Sequence, residues 1–202
     1  TSYKRQGRQD GLNIVNPNLI QDFNTHGGNR TAVSYAAFGT DAQLPIPENA
    51  EVIKFLPEGS DISDILNPSY GSSPANAGND WIVLRYSDIL LLHAEALMGG
   101  GDTTNNAAID SYMKVRVRAG FDAVSDRPSV LTINDLLVER RVELAFENHR
   151  FFDLLRLGVA NEVLSNHASE KGYTSYNIRR LLLPIPAREI NLSDGLLTQN
   201  PQ

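Results

Sequence analysis

Between Arg85 and Arg156, apolar residues recur at the three- and four-residue spacing of a helix, and charged residues are threaded among them. Glu139, Glu143 and Glu147 fall at i, i+4 and i+8 on one face, with Arg140 one turn from Glu143. Leu136, Leu144, Phe146, Phe151 and Phe152 are interleaved with them. Charges set among so many large apolar side chains are partly buried, and a buried charge is tolerated only when paired. The pattern predicts an all-α fold whose helices are tied together by ion pairs.

The helix ends are marked. Arg85 to about Met98 has a wide apolar face through Ile89, Leu90, Leu92 and Leu97, with small Ala94 and Ala96, and Gly99-Gly100-Gly101 stops it. A second helix is expected from about Asn105 to Ala119, ending at Gly120. Two helices joined by so short a polar loop make an antiparallel hairpin, and Ala94 and Ala108 stand where close approach needs small residues. That is the spacing of a tetratricopeptide-like unit. Thr132-Ile133-Asn134-Asp135 has the form of a capping box and opens a helix expected to reach about Glu147. Asn148 can take a left-handed stop, Phe151 to Leu157 resume helical spacing, and a short helix after Gly158 is expected to reach His167. Pro184 and Pro186 exclude a central strand, so Leu181 to Pro186 reads as an extended segment packed on the helices, followed by a helical turn at Arg188 to Asn191.

The front of the chain is different. Six of the ten prolines and eight of the fifteen glycines precede Asp80. Residues 1–80 are therefore expected to be a loop-rich segment and a candidate ligand-facing surface, and residues 81–202 a helical scaffold continuous with it. Asn16-Pro17 can cap and start one helix through Leu19, Ile20 and Phe23, and Val52 to Leu56 is a candidate short strand.

Several chemistries lack their residues. The net charge of −6 and the absence of a large Lys/Arg cluster argue against a nucleic-acid partner. Cysteine is absent, which removes disulfides and thiolate chemistry. His26, His93, His149 and His167 form no metal-ligand spacing, Asp22, Asp61 and Asp64 no calcium loop, and Gly99 to Gly101 no phosphate loop. No cofactor, metal site or catalytic set is expected. A carboxylate pair at Glu143 and Glu147 working as acid and base is the catalytic alternative to the ion-pair reading, which the interleaved apolar residues favour.

For binding, the aromatic residues outside the helices matter most. Tyr3, Tyr35, Phe38 and Tyr70 could stack on the C–H face of a sugar, with Asn24, Asn29 and Arg30 bonding hydroxyls. The same rings could instead plug a loop-covered core. Trp81, at the start of the helical block, is expected to anchor the core.

The motifs RYSDILLLHAEA at 85–96, VRVRAG at 115–120 and ERRVELAFENHRFFDL at 139–154, followed by LLPIP at 182–186 and QNP at 199–201, closely resemble the C-terminal region of the SusD/RagB family. These are outer-membrane nutrient-binding lipoproteins of Bacteroidota. Asn148 stands where the family usually has glycine. The resemblance implies a tetratricopeptide-like helical scaffold with long irregular loops, in the C-terminal part of a longer protein. It also implies a lipid anchor at an N-terminus outside this chain, a surface-exposed location on the outer membrane, and capture of a glycan or peptide. Delivery would be to a SusC-like, TonB-dependent transporter. The alternative is a helical adaptor whose only ligand is another protein.

Overall fold

The computed structural model describes residues 15–36, 50–52, 54–55, 81–174, 177 and 181–201. The chain falls into two compact units, Thr1–Asn148 and His149–Gln202.

The first unit begins with α1 (Pro17–His26). Asn16 caps it, its side chain accepting from Asn18 N at 2.9 Å, and Pro17 occupies the first turn, where its missing N–H costs nothing. A 3-10 turn (Gly28–Arg30) and the short α2 (Thr31–Ser34) lead into β1 (Tyr35–Ala36). This pairs antiparallel with β2 (Glu51–Val52), Tyr35 opposite Val52. The strand expected over Val52 to Leu56 is shorter and earlier, because Lys54 and Phe55 turn.

The helical hairpin is α3 (Tyr86–Met98) and α4 (Asn106–Arg118). Gly99 ends α3 at φ 62°, and the Asn105 side chain caps α4 by accepting from Ala107 N at 2.9 Å. Ala94 and Ala108 are fully buried in one cluster with Leu90, Leu91, Ile109, Tyr112, Met113, Val115, Leu131 and Leu136. An isolated bridge between Thr103 and Leu131, with bonds of 2.9 and 2.8 Å, closes the loop side of this core.

α5 (Ile133–Glu143) starts at the expected capping box: Thr132 Oγ1 accepts from Asp135 N at 3.0 Å and Asp135 Oδ2 from Thr132 N at 3.1 Å. It ends four residues short of the expected Glu147. Phe146 (φ 69°) and Asn148 (φ 64°) both adopt left-handed backbone, so the chain turns where periodicity alone would continue. Phe146 stacks on Phe23 at 6.3 Å, joining α1 and α5 through a second cluster of Phe23, Val142 and Ala145, with Leu19 and Tyr35 against it. Burial of that ring offsets the strain of its backbone.

A tight approach locks the front segment to the hairpin. Asn29 N donates to Ala119 O at 2.7 Å. A Cβ at Gly28 (φ 56°) would lie 2.3 Å from that carbonyl, and one at Gly120 (φ 92°) 2.4 Å from the Asn29 side chain. Only glycine fits both places.

The second unit contains α6 (Arg150–Arg156), α7 (Ala160–Lys171) and α8 (Ala187–Leu192). α7 runs past the expected His167 to Lys171, where Gly172 at φ 69° caps it. Residues 183–186 belong to neither helix nor strand. They pair with the chain end, however: Ile185 N donates to Gln199 Oε1 at 2.8 Å and Asn200 Nδ2 to Leu183 O at 2.7 Å. Leu182 and Leu183 are exposed, while Leu181 and Ile185 are half-buried.

Candidate functional site

The polar centre of the first unit is built on the three glutamates. Glu139 and Glu143 lie on α5 and Glu147 just beyond it, and all three are buried. Their partners come from elsewhere. Arg30, positioned by the Gly27–Gly28 turn, donates through Nη1 to Glu139 Oε1 and to Glu143 Oε2, the latter at 2.7 Å. Its Nε and Nη2 donate to Gly27 O and His26 O at 2.9 and 2.8 Å. Arg116 on α4 reaches Glu139 Oε2 at 3.1 Å, its guanidinium 3.8 Å from the Phe121 ring centroid. Arg85, before α3, bonds the Glu143 carboxylate and donates to Glu147 Oε2 at 2.8 Å. Arg118 also bonds Glu143, and Lys54 pairs with Glu147. Lys54 Nζ further donates to Glu143 O and Ala145 O at 2.8 and 3.0 Å. Flanking pairs join Arg140 to Asp88 at 2.7 Å and Arg141 to Asp22.

Electrostatics fix the protonation of this network. Burial pushes the Glu143 carboxyl up, but hydrogen bonds and charge from Arg85 and Arg30 outweigh it and lower its pKa to about 2. Glu147 is lowered too, with Arg85 and Lys54 overcoming burial. Burial depresses Lys54, a shift that Glu147 only partly opposes. Arg30 and Arg85 are raised, because their glutamates outweigh desolvation. A carboxylate held this low is ionised at neutral pH and has no proton to give. It is also buried, with the guanidinia of Arg30, Arg85 and Arg118 all on it. Glu143 and Glu147 are both engaged in ion pairs, and the arrangement cements elements together.

Of the expected ligand residues, Tyr3, Phe38 and Tyr70 lie outside the described residues. Asn24 and Tyr35 come together: the Tyr35 hydroxyl donates to Asn24 Oδ1 at 3.0 Å, and Asn24 is exposed. The Tyr35 ring packs on Phe23 at 5.5 Å, and burial raises its hydroxyl pKa. Tyr35 thus has its ring against Phe23 of the core and its hydroxyl at the surface. Arg30 is a correction. It is buried with all three guanidinium nitrogens engaged, so it serves the ion-pair network and does not reach toward ligand hydroxyls.

Trp81 is a second correction. Its residue surface is 53% exposed, and it stacks on Phe55 with centroids 5.7 Å apart and planes 28° from parallel. An aromatic next to a Pro/Gly-rich stretch, one turn ahead of a helix start, is the signal that could have placed it at the surface. The histidines carry little: His93 Nδ1 lies 2.9 Å from Ser111 Oγ, joining α3 to α4. Among the described residues no group of three His, Asp or Glu could hold a metal, and no helix is long and apolar enough to cross a membrane.

The chain has clear relatives. The SusD family model matches residues 62–202. SusD-like protein P2 of Formosa agariphila is 30% identical over 141 residues, covering 65% of this chain and 27% of that protein. Among solved structures, a laminarin binding SusD-like protein is 28% identical at a TM-score of 0.68, over 93% of this chain and 38% of the other. Surface glycan-binding protein A from Bacteroides uniformis is 27% identical at a TM-score of 0.62, over 92% of this chain and 40% of the other. The chain therefore spans well under half the length of each of these relatives.

Proposed function

Since this chain belongs to the SusD family, we propose that it serves in glycan capture at the outer surface of the outer membrane. The protein is held there by a lipid anchor and hands its ligand to a SusC-like, TonB-dependent transporter. The observation that carries the reading is the likeness, along 93% of this chain, to a protein named for binding laminarin. The chemistry of the described residues is in keeping with it. The helices are fastened by buried charge, while aromatic and amide side chains (Tyr35, Asn24, Trp81) stand at the surface. Ligand would be held by stacking and hydroxyl bonding and released unchanged.

Electrophoresis of the chain through a gel containing laminarin tests this. Retardation relative to a gel without polysaccharide is expected, with no reducing ends released on incubation. Free migration through laminarin and through a panel of other soluble glycans would overturn it. Delivery is tested separately, by co-purification of the chain with a TonB-dependent transporter from its own membranes.

The rival reading, an adaptor whose ligand is a protein, draws on one feature. Ile82, Val83 and Leu84 form an exposed apolar run ahead of α3. That reading predicts that the chain captures a protein while ignoring every glycan.

A further inference from the structure

We infer that the turn at Lys54 and Phe55 is a charge-held latch, which swings off the end of α5 as a unit of its own while the helices stay folded. Upstream of it the chain is fixed: Ala50 is fully buried, its carbonyl accepts from Val15 N at 2.7 Å, and β2 pairs with β1. The turn itself is seated by polar bonds. Lys54 Nζ donates to Glu143 O and Ala145 O at 2.8 and 3.0 Å and pairs with the Glu147 carboxylate. Phe55 adds a stack on Trp81, and neither ring belongs to a buried apolar cluster of the described residues. Segments outside the apolar core are the ones that open first, at a cost below that of global unfolding.

Glu147 decides whether the latch holds. Its carboxylate stands between two cations, Lys54 and Arg85, the latter at 2.8 Å. Burial is the largest influence on the Lys54 ammonium and disfavours its charge, and the Arg85 charge adds to that; Glu147 is the main counterweight, helped by Glu143. Without the charge of Glu147, two like charges face each other in a place that already penalises one. The two cations differ in what remains to them. Arg85 keeps the Glu143 carboxylate, which Arg30 and Arg118 also bond, and the Glu143 carbonyl. Among the described residues Lys54 keeps two main-chain carbonyls and no carboxylate bond. Lys54 is therefore the one that leaves, and Phe55 goes with it.

Trp81 is the only tryptophan of the chain, so its emission reads the loss of the Phe55 ring, while far-ultraviolet circular dichroism reads the helices. In the 202-residue chain, Glu147→Gln should move that emission to longer wavelength and open it to acrylamide quenching, with helix content unchanged. Lys54→Met, which keeps an apolar stem and removes the ammonium, should do the same. In urea the unsubstituted chain should change its emission at a lower midpoint than it loses helix, because probes that do not coincide mark a separate opening. Emission unchanged in both variants, with helix content intact, would overturn the latch. Emission and helix content falling together would overturn it too, since the turn would then belong to one cooperative core. Should both variants fail to fold, the urea midpoints of the unsubstituted chain decide alone: separate midpoints support the latch, and coincident ones sink it.

Discussion

Arg85 holds Glu143 at two points: one guanidinium nitrogen bonds the carboxylate, and another donates to the main-chain carbonyl of the same residue. Arg85 stands immediately before α3 and Glu143 is the last residue of α5. The carbonyls of a helix end lack intrahelical partners and carry partial negative charge, so a cation there satisfies a bond and a field together. Two helices are fixed to one another by the ends of both.

Glu143→Gln should therefore be costly. It leaves the buried Arg30 and the part-buried Arg85 short of a countercharge, and losing one partner of a buried pair costs about 3–5 kcal/mol. Arg118→Ala removes a cation from the same carboxylate, but its side chain is 61% exposed, so the loss should stay below about 1 kcal/mol. Urea denaturation of the two variants gives the comparison. Equal midpoints would mean that burial does not set the strength of these pairs.

Acid should undo the same network. The Glu143 carboxyl sits at about 2 in the fold against an ordinary 4.5, and Glu147 shifts in the same direction. The unfolded chain binds more protons between those values, so stability is fully present above 4.5 and declines as pH falls toward 2. The expected loss from Glu143 is on the order of 3 kcal/mol. Denaturant midpoints measured from neutral pH down to about pH 3 check it; a flat profile would contradict the pairing.

Gly28→Ala should separate crowding from backbone strain. The new methyl would meet Ala119 O at 2.3 Å, whereas Gly99, also left-handed, has nothing within 4 Å of the same position. Gly99→Ala should cost roughly 1–2 kcal/mol from conformation alone. Gly28→Ala should cost more, because the Asn29–Ala119 bond must open as well. Thermal unfolding of both, compared with the unsubstituted chain, reads the difference.

Tyr35 offers a test of divided roles. Tyr35→Phe keeps the ring on Phe23 and loses only the bond to exposed Asn24, for about 1 kcal/mol or less. Tyr35→Ala also strips the ring from the cluster, at about 2–4 kcal/mol. If the hydroxyl contacts glycan, Tyr35→Phe will weaken laminarin retention with stability nearly unchanged. Retention equal to that of the unsubstituted chain would leave Tyr35 a core residue only.

Local rules made much of the fold readable. Asn16-Pro17, Asn105, Gly99 and the Thr132–Asp135 box each act within four residues, and each helix start or stop they predicted is present. The glutamate spacing revealed a face that had to be paired. It could not reveal the partners, because Arg30, Lys54 and Arg85 lie 58 to 113 residues from Glu143 or its carbonyl. The same blindness sent Arg30 to the ligand and Trp81 to the core. Composition put arginine in a loop and tryptophan beside apolar residues, but only tertiary contact decides which is covered. Glu147 misled for another reason: its spacing continues the helix, whereas Phe146 leaves the helical region to bury its ring.

That early stop has a consequence for how this part of the molecule tolerates change. Were the rod prolonged by another turn, Glu147 would lie about 6 Å beyond Glu143 along the axis, away from the turn in which the lysine and arginine now converge on it. Substitutions that favour continued coiling at Phe146 or Asn148 should thus unhinge the junction even while raising helix content, so that here better local order means poorer assembly.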